Sequence, residues 1–308
     1  MSVDLDFDPG QQALVDAVGQ FCAQRWTEAD ARADGPDFTR ARWSELAELG
    51  VLAVGSPDEE GGAVEICAVM EALGWVAFPG PLVASFLGQQ VLPPDDAAAV
   101  AQGRQVVAVG EPPLMAWATE ADLFLSWQGG TLRPARPRST ACAEASLGDE
   151  AWGRVELDVG EALPGALRAL VVGELAQAAY LAAAGGRLVA AAAEHASSRR
   201  QFGRTLGEFQ AVAHPLADAH IRLDAARMLA RAAACSLDEK TPEIAAERSA
   251  LALGSAAGAA LEAVAVSHQV FGAVGITLEG PIFPITRRIR SLASQSPGPA
   301  ESARPGSE

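Results

Sequence analysis

The sequence Ser198-Arg199-Arg200-Gln201-Phe202-Gly203-Arg204 follows a long apolar segment, and Phe209-Gln210-Ala211-Val212-Ala213-His214 begins the next one. Gly203 permits a sharp backbone turn between the two predicted helices. Arg199 falls at the end of the first helix, where its planar guanidinium suits a pair of phosphate oxygens. Gln210 offers both a donor and an acceptor to a nucleotide. This segment therefore predicts a helix-turn-helix that contacts an anionic ligand.

A second glycine-bearing turn lies further along the chain, in Gln269-Val270-Phe271-Gly272-Ala273-Val274-Gly275-Ile276-Thr277. Gly272 and Gly275 would let backbone N–H groups approach a ligand without an intervening Cβ. The two segments resemble the acyl-CoA dehydrogenase signatures, an Arg-x-Gln-Phe-Gly turn with a Phe-Gln-Ala-Val-x-His helix start and a Gln-x-x-Gly-Gly-x-Gly-x-Thr turn. Residues 46–62, with their Leu-Gly, Pro and Gly-Gly sequences, also resemble the N-terminal helices of this family. The resemblance covers about residues 5–293.

The resemblance implies FAD as the cofactor. In the family these turns bind the pyrophosphate and adenosine of the FAD that belongs to the neighbouring subunit. Carried onto this sequence, the cofactor-binding residues are Arg199, Phe202, Gln210, Gln269, Gly272 and Gly275. His268 precedes the second turn and is a lesser candidate, while His214 is interpreted as part of the helix structure.

Apolar periodicity predicts an α+β, mostly helical chain, and the resemblance implies the acyl-CoA dehydrogenase fold. Residues 1–104 are expected to form an N-terminal helical domain and residues 105–162 a reduced β domain, with a Pro-, Arg- and Ser-rich loop at 134–140. Residues 163–293 are expected to form a C-terminal helical bundle, followed by a disordered tail at 294–308. The absence of strand–helix alternation and of a GxGxxG motif argues against a Rossmann domain.

Two features of the resembled family are missing from this sequence. No Thr-Glu/Gln-Pro…Gly-Ser-Asp flavin loop is present, and Glu111-Pro112-Pro113 is the nearest remnant. The Tyr-Glu-Gly-Thr loop that carries the catalytic base is also absent. Glu301 stands in a Ser/Pro/Gly-rich segment that cannot hold the geometry needed for proton abstraction. Glu174 is the weak candidate base, one residue from the position that some members use on the long helix.

This pattern of retention and loss resembles the short subunit of a heteromeric α2β2 acyl-CoA dehydrogenase from actinobacterial steroid catabolism. The resemblance implies a full-length partner subunit that supplies the glutamate and most of the flavin contacts. It also implies an acyl-CoA substrate with a bulky, steroid-type acyl group. The chain itself is expected to carry no catalytic residue.

Two other interpretations stay open. The chain could be a structural or regulatory homologue without flavin, in which case no partner would yield a yellow protein. It could also be a self-sufficient dehydrogenase that uses Glu174 or Glu279, in which case the chain alone would be active.

Composition limits the kinds of molecule that the chain is expected to bind. The formal net charge is −16 and no basic run is present, which argues against a nucleic-acid or anionic membrane surface. The most apolar stretch, residues 178–193, is interrupted by Gly185-Gly186-Arg187 and is interpreted as a buried helix. Four scattered cysteines and an acidic N-terminus indicate a cytoplasmic protein with reduced thiols.

Overall fold

The computed structural model describes residues 5–32, 38–57, 61–128, 131–146, 151–277 and 280–295. Glu279, Glu301 and the predicted tail beyond residue 295 lie outside these ranges, so the expectations that concern them stay predictions.

Among the described residues up to position 101, the N-terminal part of the chain forms six helices. They are α1 (Pro9–Arg25), α2 (Glu28–Arg32), α3 (Arg40–Glu48), α4 (Ala63–Trp75), α5 (Leu82–Gln89) and α6 (Pro94–Ala101). The Asp8 carboxylate caps α1 by accepting hydrogen bonds from the N–H groups of Gly10 and Gln11, both at 2.8 Å. Pro94 takes the first position of α6, where proline loses no hydrogen bond.

Short strands follow in the middle of the chain. They are β1 (Val107–Gly110), β2 (Leu114–Met115), β3 (Leu123–Gln128), β4 (Thr131–Pro137), β5 (Cys142–Ala143), β6 (Gly153–Arg154) and β7 (Leu157–Val159). One sheet has the order β1-β3-β4-β7, with β1 and β3 parallel and the other pairs antiparallel. The second has the order β2-β6-β5 and is antiparallel.

The loop predicted at residues 134–140 is wrong in its first half, because β4 continues through Pro137. Pro134 lies opposite Leu125 of β3, and its carbonyl accepts a hydrogen bond from the Gly160 N–H at 2.8 Å. A proline lacks the backbone donor but keeps the acceptor, so it can stand in a strand wherever only the carbonyl is needed.

The C-terminal part contains α7 (Ala166–Ser198), β8 (Arg200–Gln201), β9 (Arg204–Thr205), α8 (Gln210–Glu239), α9 (Pro242–Phe271) and α10 (Phe283–Ser294). The sequence analysis did not predict α10. Its buried Ile285 and Ile289 are four residues apart and face the core. Helix α10 ends at Ser294, the residue at which the tail is predicted to begin, and the Gln295 carbonyl accepts a hydrogen bond from Gln177.

Helix α7 is the centre of the molecule and is buried along most of its length. Small residues make this possible, since they let helix backbones approach closely. A Cβ at Gly74 of α4 would lie 2.4 Å from the Tyr180 carbonyl oxygen, and one at Gly185 would lie 2.5 Å from Leu223. The predicted mostly helical α+β fold is thus confirmed. The domain boundaries stay a prediction, with helices in residues 9–101, sheet strands in 107–159 and long helices from 166 onward.

Candidate cofactor-binding site

The segment between α7 and α8 is a tight β-hairpin. Strands β8 and β9 pair antiparallel, and Phe202 and Gly203 form the two-residue turn with φ values of +51° and +83°. Positive φ at both turn residues is typical of a type I′ hairpin. Arg200 closes the hairpin through a 2.9 Å hydrogen bond from Nη2 to the Gly203 carbonyl. The Phe202 ring consequently stands at the tip, 92% exposed.

Two arginines flank this tip. Arg199 ends α7, and its exposed guanidinium has neither a hydrogen bond nor an ion pair with any residue that the structure describes. Arg204 lies on the other strand with its guanidinium 3.8 Å from the centre of the Phe209 ring. The sequence analysis did not single out Arg204. Its position over Phe209 depends on the hairpin geometry, which residue spacing alone does not give.

The start of α8 faces the same region. Gln210 is the first residue of the helix and is exposed, and no side chain caps this helix N-terminus. Uncapped N–H groups and the positive end of the helix dipole favour an anion there. The nearby Glu208 is engaged at the hairpin base, where the backbone N–H and hydroxyl of Thr205 donate to it and lower its pKa.

The second predicted turn is held against the end of α7. The ring of Phe271, the last residue of α9, stacks on His195 with centroids 4.4 Å apart. Gln269 is exposed, and Gly272 has φ +61° with no heavy atom within 4 Å of an added Cβ. The structure thus brings the two turns together at one end of the bundle, with the Gly272 backbone open to solvent.

Gly275 behaves differently from Gly272. It is buried, and an added Cβ would lie 3.0 Å from Phe271 Cβ and 3.2 Å from Ile282 Cδ1. This close approach explains the glycine by packing, and a ligand-facing role for Gly275 stays a prediction.

The two lesser histidine candidates lie apart. His214 is exposed on α8. His268 is partly buried on α9, with Nε2 2.9 Å from the Thr286 hydroxyl of α10. Burial, assisted by the charge of Arg290, lowers the pKa of His268. Its ring therefore contacts α10, which favours a packing role over nucleotide contact.

A small cavity lies where α4, α5 and α7 meet the strands. Its volume is about 70 Å³, and Phe78, Trp117, Trp127 and Tyr180 contribute aromatic walls. The end of α10 closes it, since Gln177 Nε2 donates to the carbonyls of Leu292 and Gln295, each at 2.6 Å. Among the described residues, no aspartate or glutamate lines this cavity.

Glu174 lies elsewhere, inside the helix bundle. It is 2% exposed and accepts a 2.5 Å hydrogen bond from the Ser249 hydroxyl of α9. Burial raises the pKa of Glu174 to about 7, and the Ser249 hydrogen bond opposes this shift. A pKa near 7 suits a general base, but Glu174 does not line the cavity beside the strands.

The exposed surface fits part of a dinucleotide. Four features of this surface suit a pyrophosphate and a stacked aromatic base. They are the guanidinium groups of the flanking arginines, the uncapped N-terminus of α8, the exposed Gly272 backbone and the Phe202 ring. The cavity at the strands does not fit a tricyclic flavin ring, because ligand pockets of that class measure about 300–1,000 Å³. The geometry of the exposed turns is thus compatible with the nucleotide end of FAD, and the cavity beside the strands is too small for the flavin ring.

The sequence matches two family models. They are described as acyl-CoA dehydrogenase, N-terminal domain, over residues 8–94, and acyl-CoA dehydrogenase, C-terminal domain, over residues 163–304. The chain is also 28% identical to acyl-CoA dehydrogenase IpdE2 of Mycobacterium tuberculosis, with 94% of each protein covered.

Solved structures show the same fold. One chain of the ChsE4-ChsE5 complex from Mycobacterium tuberculosis aligns with a TM-score of 0.79 at 21% identity, covering 94% of both chains. A chain of the Tcur3481-Tcur3483 steroid ACAD G363A variant aligns with a TM-score of 0.81 at 22% identity, covering 95% of both chains.

Proposed function

We propose that this chain, which belongs to the acyl-CoA dehydrogenase family, is a subunit that completes the FAD site of a catalytic partner and supplies no base itself. The cofactor is FAD. The reaction is the α,β-dehydrogenation of an acyl-CoA thioester, in which bound FAD accepts the hydride from the β-carbon. The partner, a full-length acyl-CoA dehydrogenase chain, supplies the glutamate that removes the α-proton.

The main support for this proposal is the contrast between the exposed turns and the small cavity beside the strands. The turns that would hold the nucleotide end of FAD are exposed and have free donors. The cavity beside the strands holds about 70 Å³ and has no carboxylate among its described lining residues. A flavin ring and a base thus have no place there, whereas a second chain can bring both to the exposed turns.

The residues of this chain act by holding the nucleotide end. Arg199 is placed to bind a pyrophosphate oxygen pair, and Gln210 to hydrogen-bond at the start of α8. Phe202 offers an exposed ring for stacking. Gln269 and the Gly272 backbone close the other side. Each of these roles orients the cofactor, and none transfers a proton.

A surface for the partner lies on α9. The most apolar window of this helix is only 39% buried. Leu251 and Leu261 are 61% and 43% exposed, and between them Gly254 and Gly258 have no heavy atom within 4 Å of an added Cβ. This spacing leaves a shallow groove between two leucines, which suits close packing of a partner helix. Helix α9 continues to Gln269, so a partner that docks on α9 would lie close to the cofactor turns.

The relatives support a heteromeric assembly and a bulky substrate. Two of the aligned structures carry paired names, ChsE4-ChsE5 and Tcur3481-Tcur3483, and the second is called a steroid ACAD. We therefore extend the proposal to an α2β2 heterotetramer, to a steroid or similarly bulky acyl-CoA, and to a cytoplasmic location. Self-sufficient catalysis by Glu174 is disfavoured, because its carboxylate faces Ser249 in the bundle interior.

Co-expression with full-length acyl-CoA dehydrogenase chains from the source genome tests the proposal. Size exclusion, the flavin absorbance spectrum and acyl-CoA oxidation are measured for each pair and for each chain alone. We expect a yellow complex of about four chains that is active only when both chains are present. Gly258→Leu should prevent assembly by filling the α9 groove, and Gly186→Leu on α7 is the matched control that should not.

Yellow, active protein without a partner would overturn the proposal, and Glu174 would then be the first residue to replace. Colourless protein with every candidate partner would favour a flavin-free homologue.

A further inference from the structure

A second, larger space lies on the other side of the bundle. It is a groove of about 790 Å³ between α1 and α8, above α4 and α7. None of its lining residues belongs to the cavity beside the strands or to the hairpin. Its volume falls within the range of small-molecule sites, about 300–1,000 Å³.

The groove exists because its floor is built from small side chains. Helix α7 contributes a run of them, namely Ala182, Ala183, Gly186, Val189, Ala190 and Ala193. Trp75 of α4 stands at the edge, 46% exposed. An added Cβ at Gly186 would have only the Trp75 indole within 4 Å, at 3.5 Å. The floor and this wall are apolar and suit a hydrocarbon body.

One end of the groove is polar, and two of the charged residues there neutralise each other. Arg231 and Glu71 form a buried bidentate ion pair at 2.6 and 2.8 Å, and Arg231 also donates to the Leu5 carbonyl and lies 3.5 Å from the Phe7 ring centre. These contacts occupy Arg231 fully, so it is not available to a ligand.

Arg227, one turn away, is not fully engaged. Its Nη2 donates to Asp224 at 2.5 Å, and no described residue accepts a hydrogen bond from its Nε or Nη1. The Arg227–Asp224 pair is 41% and 51% exposed, and an exposed i,i+3 pair contributes little to stability. The Arg227 guanidinium can therefore exchange Asp224 for a ligand carboxylate at small cost, and Gln12 and His220 line the same groove as further polar groups.

We propose that this groove binds a small monocarboxylate with an apolar body, which lies against Trp75 and the small residues of α7 while its carboxylate pairs with Arg227. One available guanidinium matches one carboxylate, and the remaining walls offer few polar partners to a more highly charged ligand. The site is independent of the cofactor turns and of the α9 face.

Decanoate and decanol are the probes, the second being the uncharged match of the first. Binding is measured by titration calorimetry and by tryptophan fluorescence, on the full chain alone and in complex with its partner. We expect saturable decanoate binding that changes the fluorescence of the chain but not that of the Trp75→Phe variant. Decanol should bind more weakly, by about tenfold, because it lacks the charge-assisted pair.

Two variants and their controls locate the site. Arg227→Met should weaken decanoate about tenfold and leave decanol unchanged, whereas Arg222→Met, on the same helix outside the groove, should change neither. Gly186→Leu should abolish binding of both probes, and Ala225→Leu, at an exposed position of α8 outside the groove, should not. If Gly186→Leu fails to fold, the exposed groove position Ala190→Leu serves the same purpose.

Absence of saturable decanoate binding, or binding that survives both groove-filling variants, would overturn the proposal. Loss of decanoate binding on assembly with the partner would also overturn it, because the groove would then be a protein interface. The outcome is separate from that of the partner-dependent function, which is read from flavin content and dehydrogenation.

Discussion

The imidazole of His195 lies stacked on the ring of Phe271, with centroids 4.4 Å apart and planes 23° apart. The first residue is four positions before Arg199, and the second immediately precedes Gly272. This stack joins the ends of α7 and α9. It therefore sets the distance between the two cofactor turns, which are 70 residues apart in the sequence.

Replacing His195 tests whether the stack aligns the turns. We expect His195→Ala to lower the free energy of unfolding by about 1 kcal/mol and to reduce FAD retention in the assembled complex. His195→Phe keeps an aromatic ring at this position and should restore both. Chemical unfolding and flavin absorbance after gel filtration provide the measurements. Unchanged FAD retention in His195→Ala would show that the turns are aligned by other contacts.

Replacing Phe202 should reduce FAD retention in the complex and leave the stability of the fold unchanged. Its ring is 92% exposed at the hairpin tip, so Phe202→Ala removes almost no buried contact and should leave Tm unchanged. FAD retention should fall severalfold if the ring stacks on the cofactor. Ile221→Ala, at an apolar residue of α8 that is 64% exposed, is the control and should leave both properties unchanged. A large drop in Tm for Phe202→Ala would contradict the assignment.

Arg199 should contribute charge to the cofactor site. In the assembled complex, Arg199→Ala is expected to weaken FAD binding about tenfold or more, because a charge-assisted pair with the pyrophosphate is lost. Arg25→Ala, an exposed arginine at the end of α1, is the matched control. Equilibrium dialysis against free FAD measures the effect. Equal affinity in the two variants would place the pyrophosphate elsewhere.

Glu174 should make stability depend on pH. Folding raises its pKa from 4.5 to about 7, so the folded chain binds more protons than the unfolded chain between these values. Stability therefore falls as pH rises through this window, by an amount on the order of 3 kcal/mol. Glu174→Gln keeps an acceptor for Ser249 and should remove this part of the pH dependence. Denaturant unfolding at pH 5 and pH 8 measures it, and an equal pH response in both proteins would refute the buried-charge explanation.

The buried pair of Glu71 and Arg231 should be costly to break from one side. Both side chains are less than 10% exposed, so Glu71→Gln leaves a buried guanidinium without its counter-charge. We expect a loss of about 3–5 kcal/mol. The double variant Glu71→Gln/Arg231→Met should lose less than the sum of the single variants, because the uncompensated charge is gone. Additive losses would indicate that the two side chains act independently.

The long helices and the cofactor turns could be predicted from the sequence because local signals define them. Apolar periodicity predicts the helical bundle that α7, α8 and α9 form. Helix α10 was not predicted, although Pro284 stands in its first turn, where a proline disrupts a helix little. Strand β4 escaped in part because its prolines were weighed by propensity, while their carbonyls still take part in the sheet.

The environments of single side chains could not be predicted from the sequence. Glu174 looked like an ordinary helix glutamate, and only the packing of α7 against α9 shows its burial against Ser249. Gly272 and Gly275 looked equivalent, yet one faces solvent and the other packs on Phe271. The groove above α7 is lined by residues from four helices, and no local pattern brings Gln12, Trp75 and Arg227 together.

The most direct test of the shared-site function is the flavin content of the purified complex. FAD released by denaturation is quantified by absorbance and divided by the number of chains of each kind. Because we propose that this chain holds only the nucleotide end of the cofactor, and because the cavity beside its strands is too small for a flavin ring, we expect one FAD for each pair of unlike chains. One FAD for every chain would contradict the proposal, since it would require a complete flavin site in this subunit as well.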